Sequence, residues 1–217
     1  AREHDLYLHV DAAWAGAAMI CPELRHLWAG AEHADSIVVN AHKWLGAQTH
    51  CSVHFVRDPA SLTRTLDAKP DYLHTLGLSE VVNYSEWGIP LGRQFRALKL
   101  WFVLRAYGLE GLRTMIRNHI AWSRALCEKL RATPNFEIVT DPAYSLFSFR
   151  YRGNSGANID DLNLALVESI NADGRIYLTQ TRVDGAVAIR FQVGQFECTE
   201  TDVMSAYDVI TEIAARV

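Results

Sequence analysis

The stretch "VVNAHKWLGAQTHCS", residues 38–52, passes within a few positions from an apolar run to Asn40, His42, Lys43 and Trp44. A strand that ends in an imidazole and an amine has left packing and entered chemistry. In open α/β sheets, ligands lie outside the carboxyl ends of the strands, so what else reaches that edge decides the reading. "DSIVVN" (residues 35–40), "LYLHV" (6–10) and "CSVHFV" (51–56) are short apolar runs bounded by polar or glycine-containing turns, and are read as buried strands. Between the first two in chain order, "CPELRHLWAGAEHA" has Pro22 early and helix-compatible residues after it. Strand, short helix and strand in succession predict a layered α/β sheet.

Beyond Asp58 the periodicity dissolves as far as Tyr84, a polar segment of the length expected of a functional lid or a disordered loop. Helical patterning then begins, with Gly108 as a C-terminal stop and Pro134 closing a second helix. "FEIVT" and "SLFSFRYR" follow as strands, "NIDDLNLALVESINADG" as a helix closed by Gly174, and two strands as a hairpin around Asp184-Gly185. A last helix runs from about Thr199. The boundary is placed near Gly92 or Arg93, giving an α/β part over residues 1–92 and an α+β part over 93–217, with no repeat or low-complexity tract.

The chain has 217 residues, 49% hydrophobic and 21% charged, with a formal net charge of −4. That composition is ordinary for a globular protein with a sizeable core. Without a Lys/Arg block it offers no footprint for nucleic acid or an anionic membrane surface, and it has neither a long apolar span nor a signal-like N-terminus, so a cytoplasmic location is expected. Cys21, Cys51, Cys127 and Cys198 are irregularly spaced and are read as free thiols. On a strand His50 and His54 would share one face while Cys51 points to the other, so no metal is expected. The opening "AREHDLYLHVD" lacks Met and reads as a start in mid-domain.

Asp11 ends one predicted strand in "HVDAAWAG" and Lys43 follows another in "NAHKW", so the two are expected to face one crevice. An aspartate ending a strand is by itself an ordinary turn former. Paired with a lysine at the same sheet edge, it suggests pyridoxal 5'-phosphate (PLP), which needs a lysine to hold its aldehyde as a Schiff base and an acid to keep its pyridine nitrogen protonated. Small Ala12 and Ala13 suit a flat ring lying against the strand end, and Asn40 and His42 offer hydrogen bonds to a phosphate or to the lysine.

"HVDAAWAGAAMICPELRHL", "NAHKWL", "DYLH" and "WGIPLGRQFRALKLWFVLRAYGLEGLR" closely resemble the aromatic L-amino acid decarboxylases of the group II PLP-dependent decarboxylase family. The resemblance covers most of the chain and is strongest from His9 to Arg113. It implies the fold type I scaffold, here a partial large domain plus an α+β C-terminal small domain. It also implies that Lys43 is the Schiff-base lysine, Asp11 the pyridinium partner, Ala13 a residue packed against the ring, and Asn40 and His42 phosphate-side contacts. The family's mobile loop carries a tyrosine at the distance from the lysine at which Tyr72 stands here. That tyrosine protonates the substrate carbon in decarboxylases, whereas related aldehyde synthases have phenylalanine. "HKW" points to an aromatic substrate, and Gly92 lies where family members with glycine leave room for a large ring.

The activity so implied is decarboxylation of an aromatic L-amino acid (tryptophan, tyrosine, DOPA or phenylalanine type) to the arylalkylamine and carbon dioxide, by a homodimer. Ala41 departs from the family's usual proline and Trp14 from the tyrosine of the animal enzymes; neither removes a reacting group. The family's N-terminal segment, with its phosphate cup and ring-stacking histidine, has no counterpart here, so the chain is expected to be a C-terminal portion whose partner is the N-terminal half of the same enzyme. Three rivals stay open: an aromatic aldehyde synthase, an acidic amino acid decarboxylase, and a non-catalytic dimerisation fragment. The apolar residues of "LKLWFVLRAYGL" are read as core or dimer contact.

Overall fold

The computed structural model describes residues 1–66, 82–153 and 158–217. The chain forms two compact units, Ala1–Gly108 and Leu109–Val217. The sequence places its domain boundary earlier, at Gly92 or Arg93.

The first unit is built on a three-stranded sheet of order β1-β2-β3, from β1 (His9–Asp11), β2 (Ser36–Asn40) and β3 (Ser52–Val56). β1 runs parallel to β2 with Asp11 opposite Val38, and β2 runs antiparallel to β3 with Val38 opposite His54. Facing residues on paired strands share a side. Ile37, Val39, Val53 and Phe55 therefore form an apolar face, which lines a cavity of about 580 Å³ with Met19, Trp28 and Leu100 among its walls. His9, Asp11, Ser36, Asn40, Ser52 and His54 occupy the other face. The expectation of buried strands is corrected for β1 and β3 by this alternation, for His9, Asp11, Ser52 and His54 are all exposed. Strand β1 is also displaced: Leu6 and Tyr7 lie outside it and are more than 60% exposed.

The crossover from β1 to β2 is three 3-10 segments, Ala15–Ile20, Pro22–Trp28 and Ala31–His33, rather than one short α-helix. Pro22 and Gly30, with φ 96°, interrupt the backbone every few residues, so no run is long enough to propagate α-helical hydrogen bonds. After β3, helix α1 (Pro59–Leu66) forms where the sequence analysis saw only a polar segment. The overlooked signal is Asp58-Pro59: the Asp58 carboxylate accepts the Ala60 N–H at 3.0 Å, and proline suits the first helical position.

Helix α2 (Ala97–Arg131) is interrupted at Gly108, whose φ of 66° and ψ of 170° are not helical. This bears out the expected glycine stop. The second unit contains residues 109–131 of α2 and a four-stranded antiparallel sheet of order β4-β5-β7-β6, from β4 (Phe136–Ala143), β5 (Leu146–Tyr151), β6 (Thr179–Val183) and β7 (Ala186–Gln192), with helices α3 (Ile159–Asp173) and α4 (Glu200–Ala214). Its core joins Leu126 and Leu130 of α2, Phe147 and Phe149 of β5, Ile189 of β7, Ile170 of α3 and Ile210 of α4, all with no exposed surface. The hairpin turn at Asp184-Gly185 has φ of 49° and 83°, the left-handed pair that a two-residue turn between twisted strands requires. Asn158 caps α3 and a Thr199/Asp202 capping box starts α4. No helix among the described residues is long and apolar enough to cross a membrane.

Candidate active site

Asp11 is the last residue of β1, and Lys43 stands three positions beyond the end of β2. Because these strands are adjacent and parallel, both residues emerge at the same sheet edge. Backbone hydrogen bonds tie the two strand ends together: Ala12 N–H to the Val38 carbonyl at 3.1 Å, and Asn40 N–H to the Ala13 carbonyl at 2.9 Å. Lys43 N–H then donates to the Asn40 carbonyl at 3.0 Å. The Lys43 turn is closed by Gly46 N–H to the Lys43 carbonyl and Ala47 N–H to the Ala41 carbonyl. On the other side, the Asp11 carboxylate accepts the Ala13 N–H at 3.0 Å, which folds the chain back over Ala13. Both Asp11 and Lys43 are exposed, while Ala12 is buried beside them.

Asn40 and His42 are both oriented by β3 and its approach. Ser52 Oγ donates to the Asn40 side-chain oxygen at 2.7 Å, so the amide turns its N–H₂ group the other way. His42 Nδ1 lies 3.1 Å from the Cys51 nitrogen and 3.0 Å from the Cys51 oxygen. The Cys51 carbonyl already accepts the His42 backbone N–H, whereas the N–H of this buried cysteine has no other acceptor among the hydrogen bonds described. Nδ1 is therefore the acceptor, and the neutral ring carries its proton on Nε2. Asn40 and His42 thus each offer an N–H donor, the set a phosphate oxygen requires.

Of the sequence-derived site residues, the structure brings Asp11, Ala13, Asn40, His42 and Lys43 to one edge of one sheet. Gly92 is exposed, and a Cβ placed on it would meet nothing within 4 Å. Tyr72 lies outside the described residues. Sequence reasoning missed two features. One is the Ser52 bond to Asn40, which only the strand register reveals. The other is a parallel stack of Trp14 on Trp44, ring centroids 4.7 Å apart at 14°; both indoles were visible in the sequence, but nothing in their spacing said that they meet.

A family model described as the pyridoxal-dependent decarboxylase conserved domain matches residues 1–152. The chain belongs to the pyridoxal-dependent decarboxylase family. Among curated relatives, this family member is 39% identical to tyrosine decarboxylase 4 of Petroselinum crispum over 99% of its own length and 44% of that protein's. It is likewise 39% identical to phenylacetaldehyde synthase of Arabidopsis thaliana, over 99% of its own length and 45% of that protein's. The crystal structure of Oryza sativa TDC with PLP and tryptamine superposes with a TM-score of 0.93 at 36% identity, over 99% of this chain and 46% of that one. The fold is accordingly that of a partial fold type I domain. The chain spans less than half the length of the curated relatives it matches.

The residues present fit the family's cofactor, pyridoxal 5'-phosphate. An amine and a carboxylate share one strand edge, Ala13 keeps the intervening surface low, and two oriented N–H donors stand beside them.

Proposed function

We propose that the chain supplies the lysine side of a PLP site in an enzyme that decarboxylates an aromatic L-amino acid to its arylalkylamine and carbon dioxide. The single observation that carries this reading is the placement of Asp11 and Lys43 at the carboxyl ends of adjacent parallel strands, tied together by backbone hydrogen bonds. When bound, the cofactor supplies an electron sink for the bond to the departing carboxylate. The Lys43 amine would hold its aldehyde, and the Asp11 carboxylate, fixed by the Ala13 N–H, would be the acid that keeps its ring nitrogen protonated. Ala13 would leave room for the ring, and the Asn40 amide and His42 Nε2–H would be donors for the phosphate. Tyr72 delivers a proton to the substrate carbon after carbon dioxide leaves, and Gly92 leaves room for the substrate ring.

The remaining assignments rest on the sequence pattern and composition together with the family resemblance. Residues 1–92 belong to the PLP-binding large domain and 93–217 to the small domain, the N-terminal half of the same enzyme completes the pocket, and the assembly is a cytoplasmic homodimer. Aldehyde synthesis is the alternative with a specific observation behind it, because the Arabidopsis aldehyde synthase is as similar to this chain as the parsley tyrosine decarboxylase. Tyr72 favours the amine.

Two substitutions in the holoenzyme test the reading. Lys43→Ala should abolish the visible absorption of lysine-bound cofactor and essentially all turnover; a band that persists unchanged refutes the covalent assignment. Tyr72→Phe, assayed in air, should move the product from amine towards aldehyde, with dioxygen reduced to peroxide and water releasing ammonia, read by product analysis. Undiminished amine output would remove Tyr72 as the proton donor.

A further inference from the structure

We propose that the stacked indoles of Trp14 and Trp44 are positioning residues, a clamp that sets the separation and mutual tilt of Asp11 and Lys43; this rests on the function proposed above. The last paired residues of β1 and β2 that bear on the site are Asp11 and Val38, so the sheet ladder ends where the functional side chains begin. Lys43 stands on a turn beyond the ladder, and Ala13 and Trp14 stand on another. The bonds from Ala12 N–H to the Val38 carbonyl and from Asn40 N–H to the Ala13 carbonyl carry the pairing as far as Ala13 and Asn40; past them, side-chain contact is left to set the tilt of the Trp14 turn against the Lys43 turn.

The indole pair lies there. Trp44 directly follows Lys43, and Trp14 is the third residue after Asp11 and the next after Ala13. Their rings stack at 4.7 Å and 14°, and Trp44 has no exposed surface. Neither ring is on a loose tether. The Trp44 backbone sits inside the turn closed by Gly46 N–H to the Lys43 carbonyl at 3.2 Å, so a displacement of the Trp44 backbone moves the Lys43 carbonyl with it. The Trp14 carbonyl accepts the Ala17 N–H at 3.4 Å, while Gly16 N–H donates to the Ala12 carbonyl at 2.8 Å and the Asp11 carboxylate holds the Ala13 N–H. Each indole is thus coupled through a hydrogen-bonded turn to one reacting side chain, and the two indoles are coupled to each other face to face.

The chemistry gives this coupling a purpose. Acid and amine must reach two fixed atoms of one rigid, flat ring, and placement errors of the order of 0.5 Å matter for such constellations. Offset stacking resists both sliding and tilting of the ring planes. Those are the two displacements that would pull the carboxylate off the ring nitrogen while the amine stayed bonded.

The test uses the holoenzyme with Trp14→Ala and Trp14→Phe. Visible circular dichroism per bound cofactor reports how the ring is tilted in its site, and kcat is read separately from KM. The expected result for Trp14→Ala is a reduced visible dichroism and a kcat lowered by about 10- to 100-fold, with KM within about threefold. Trp14→Phe, which restores a stacking ring, should recover kcat to within about threefold of the parent. Unchanged dichroism and kcat in a folded Trp14→Ala protein overturn the clamp, and so does a loss that phenylalanine fails to rescue. If Trp14→Ala does not fold, Trp14→Leu, which keeps apolar bulk without a ring, takes the same measurements, with a loss expected and no loss overturning the clamp. Lys43→Ala, run in parallel, separates the two ideas: a visible band that does not depend on Lys43 removes the proposed function and the clamp with it, whereas a Lys43-dependent band indifferent to Trp14 removes the clamp alone.

Discussion

The two units bury their apolar surface differently. In Leu109–Val217 the sheet and helices close on one core, where Phe147, Phe149, Ile170, Ile189 and Ile210 are fully buried. In Ala1–Gly108 the sheet has one polar face and one apolar face, and Phe55 on the apolar face remains 58% exposed. Phe95, Trp101 and Phe102 of the same unit are each more than half exposed as well. The second unit therefore closes its apolar surface on itself, while the first leaves much of its apolar surface exposed.

The sharpest way to break that contrast is to make one change in both places. Phe149→Ala deletes a ring that touches the core on all sides and should cost about 3–5 kcal/mol of stability, read by denaturant unfolding. Phe55→Ala removes a ring that is mostly in solvent in this chain and should cost under about 1 kcal/mol. Equal costs would mean that the apolar face of the first sheet is already covered, and the contrast would fall.

The contrast also explains how much was legible. The second unit was read nearly element by element, because its signals are local: helix starts at Asn158 and about Thr199, which the structure shows to be capped, Gly174 as a stop, and Asp184-Gly185 as a hairpin turn. The candidate site was legible where chemistry dictates residue type, so Asp11 and Lys43 stood out and the sheet brought them to one edge. It was not legible where only proximity matters. The Trp14–Trp44 stack and the Ser52–Asn40 bond depend on pairing across more than ten residues, and no short-range pattern encodes that. The reading of β1 and β3 as buried failed for a related reason: short runs mixing His, Ser and Asp with Val and Phe carry an alternation too brief to separate from a continuous apolar run.

A second difference lies in titration. His119 of α2 is 1% exposed, and burial lowers its pKa from 6.5 to about 4. Above pH 6.5 the ring is neutral in folded and unfolded chains alike, so the full stability is present. Between pH 6.5 and 4 the unfolded chain takes up a proton that the folded chain refuses, and stability falls as pH falls. The loss should reach about 2 kcal/mol by pH 5. Denaturant unfolding at pH 7 and pH 5, compared with His119→Gln, isolates this contribution from the carboxylates that titrate in the same range. A parent and variant with identical pH slopes would show that His119 does not bear it.

How closely the first unit is fitted around its edge is tested at Gly16. Gly16 lies in the Ala15–Ile20 segment, where a Cβ would come within 2.5 Å of Val39 Cγ2 and 3.0 Å of Val39 Cγ1. Val39 is β-branched and sits in the middle strand, paired to Val53, so its side chain has little rotamer freedom with which to retreat. Gly16→Ala must push the segment off the sheet, at about 1–3 kcal/mol. Because Trp14 is two residues away, the same push should disturb the indole stack and with it the Asp11 turn. Adding Val39→Ala removes both methyl groups that collide, so the double variant should recover most of what Gly16→Ala loses beyond the separate cost of Val39→Ala. Strict additivity of the two changes would mean that the close approach of segment and strand is not what demands glycine there.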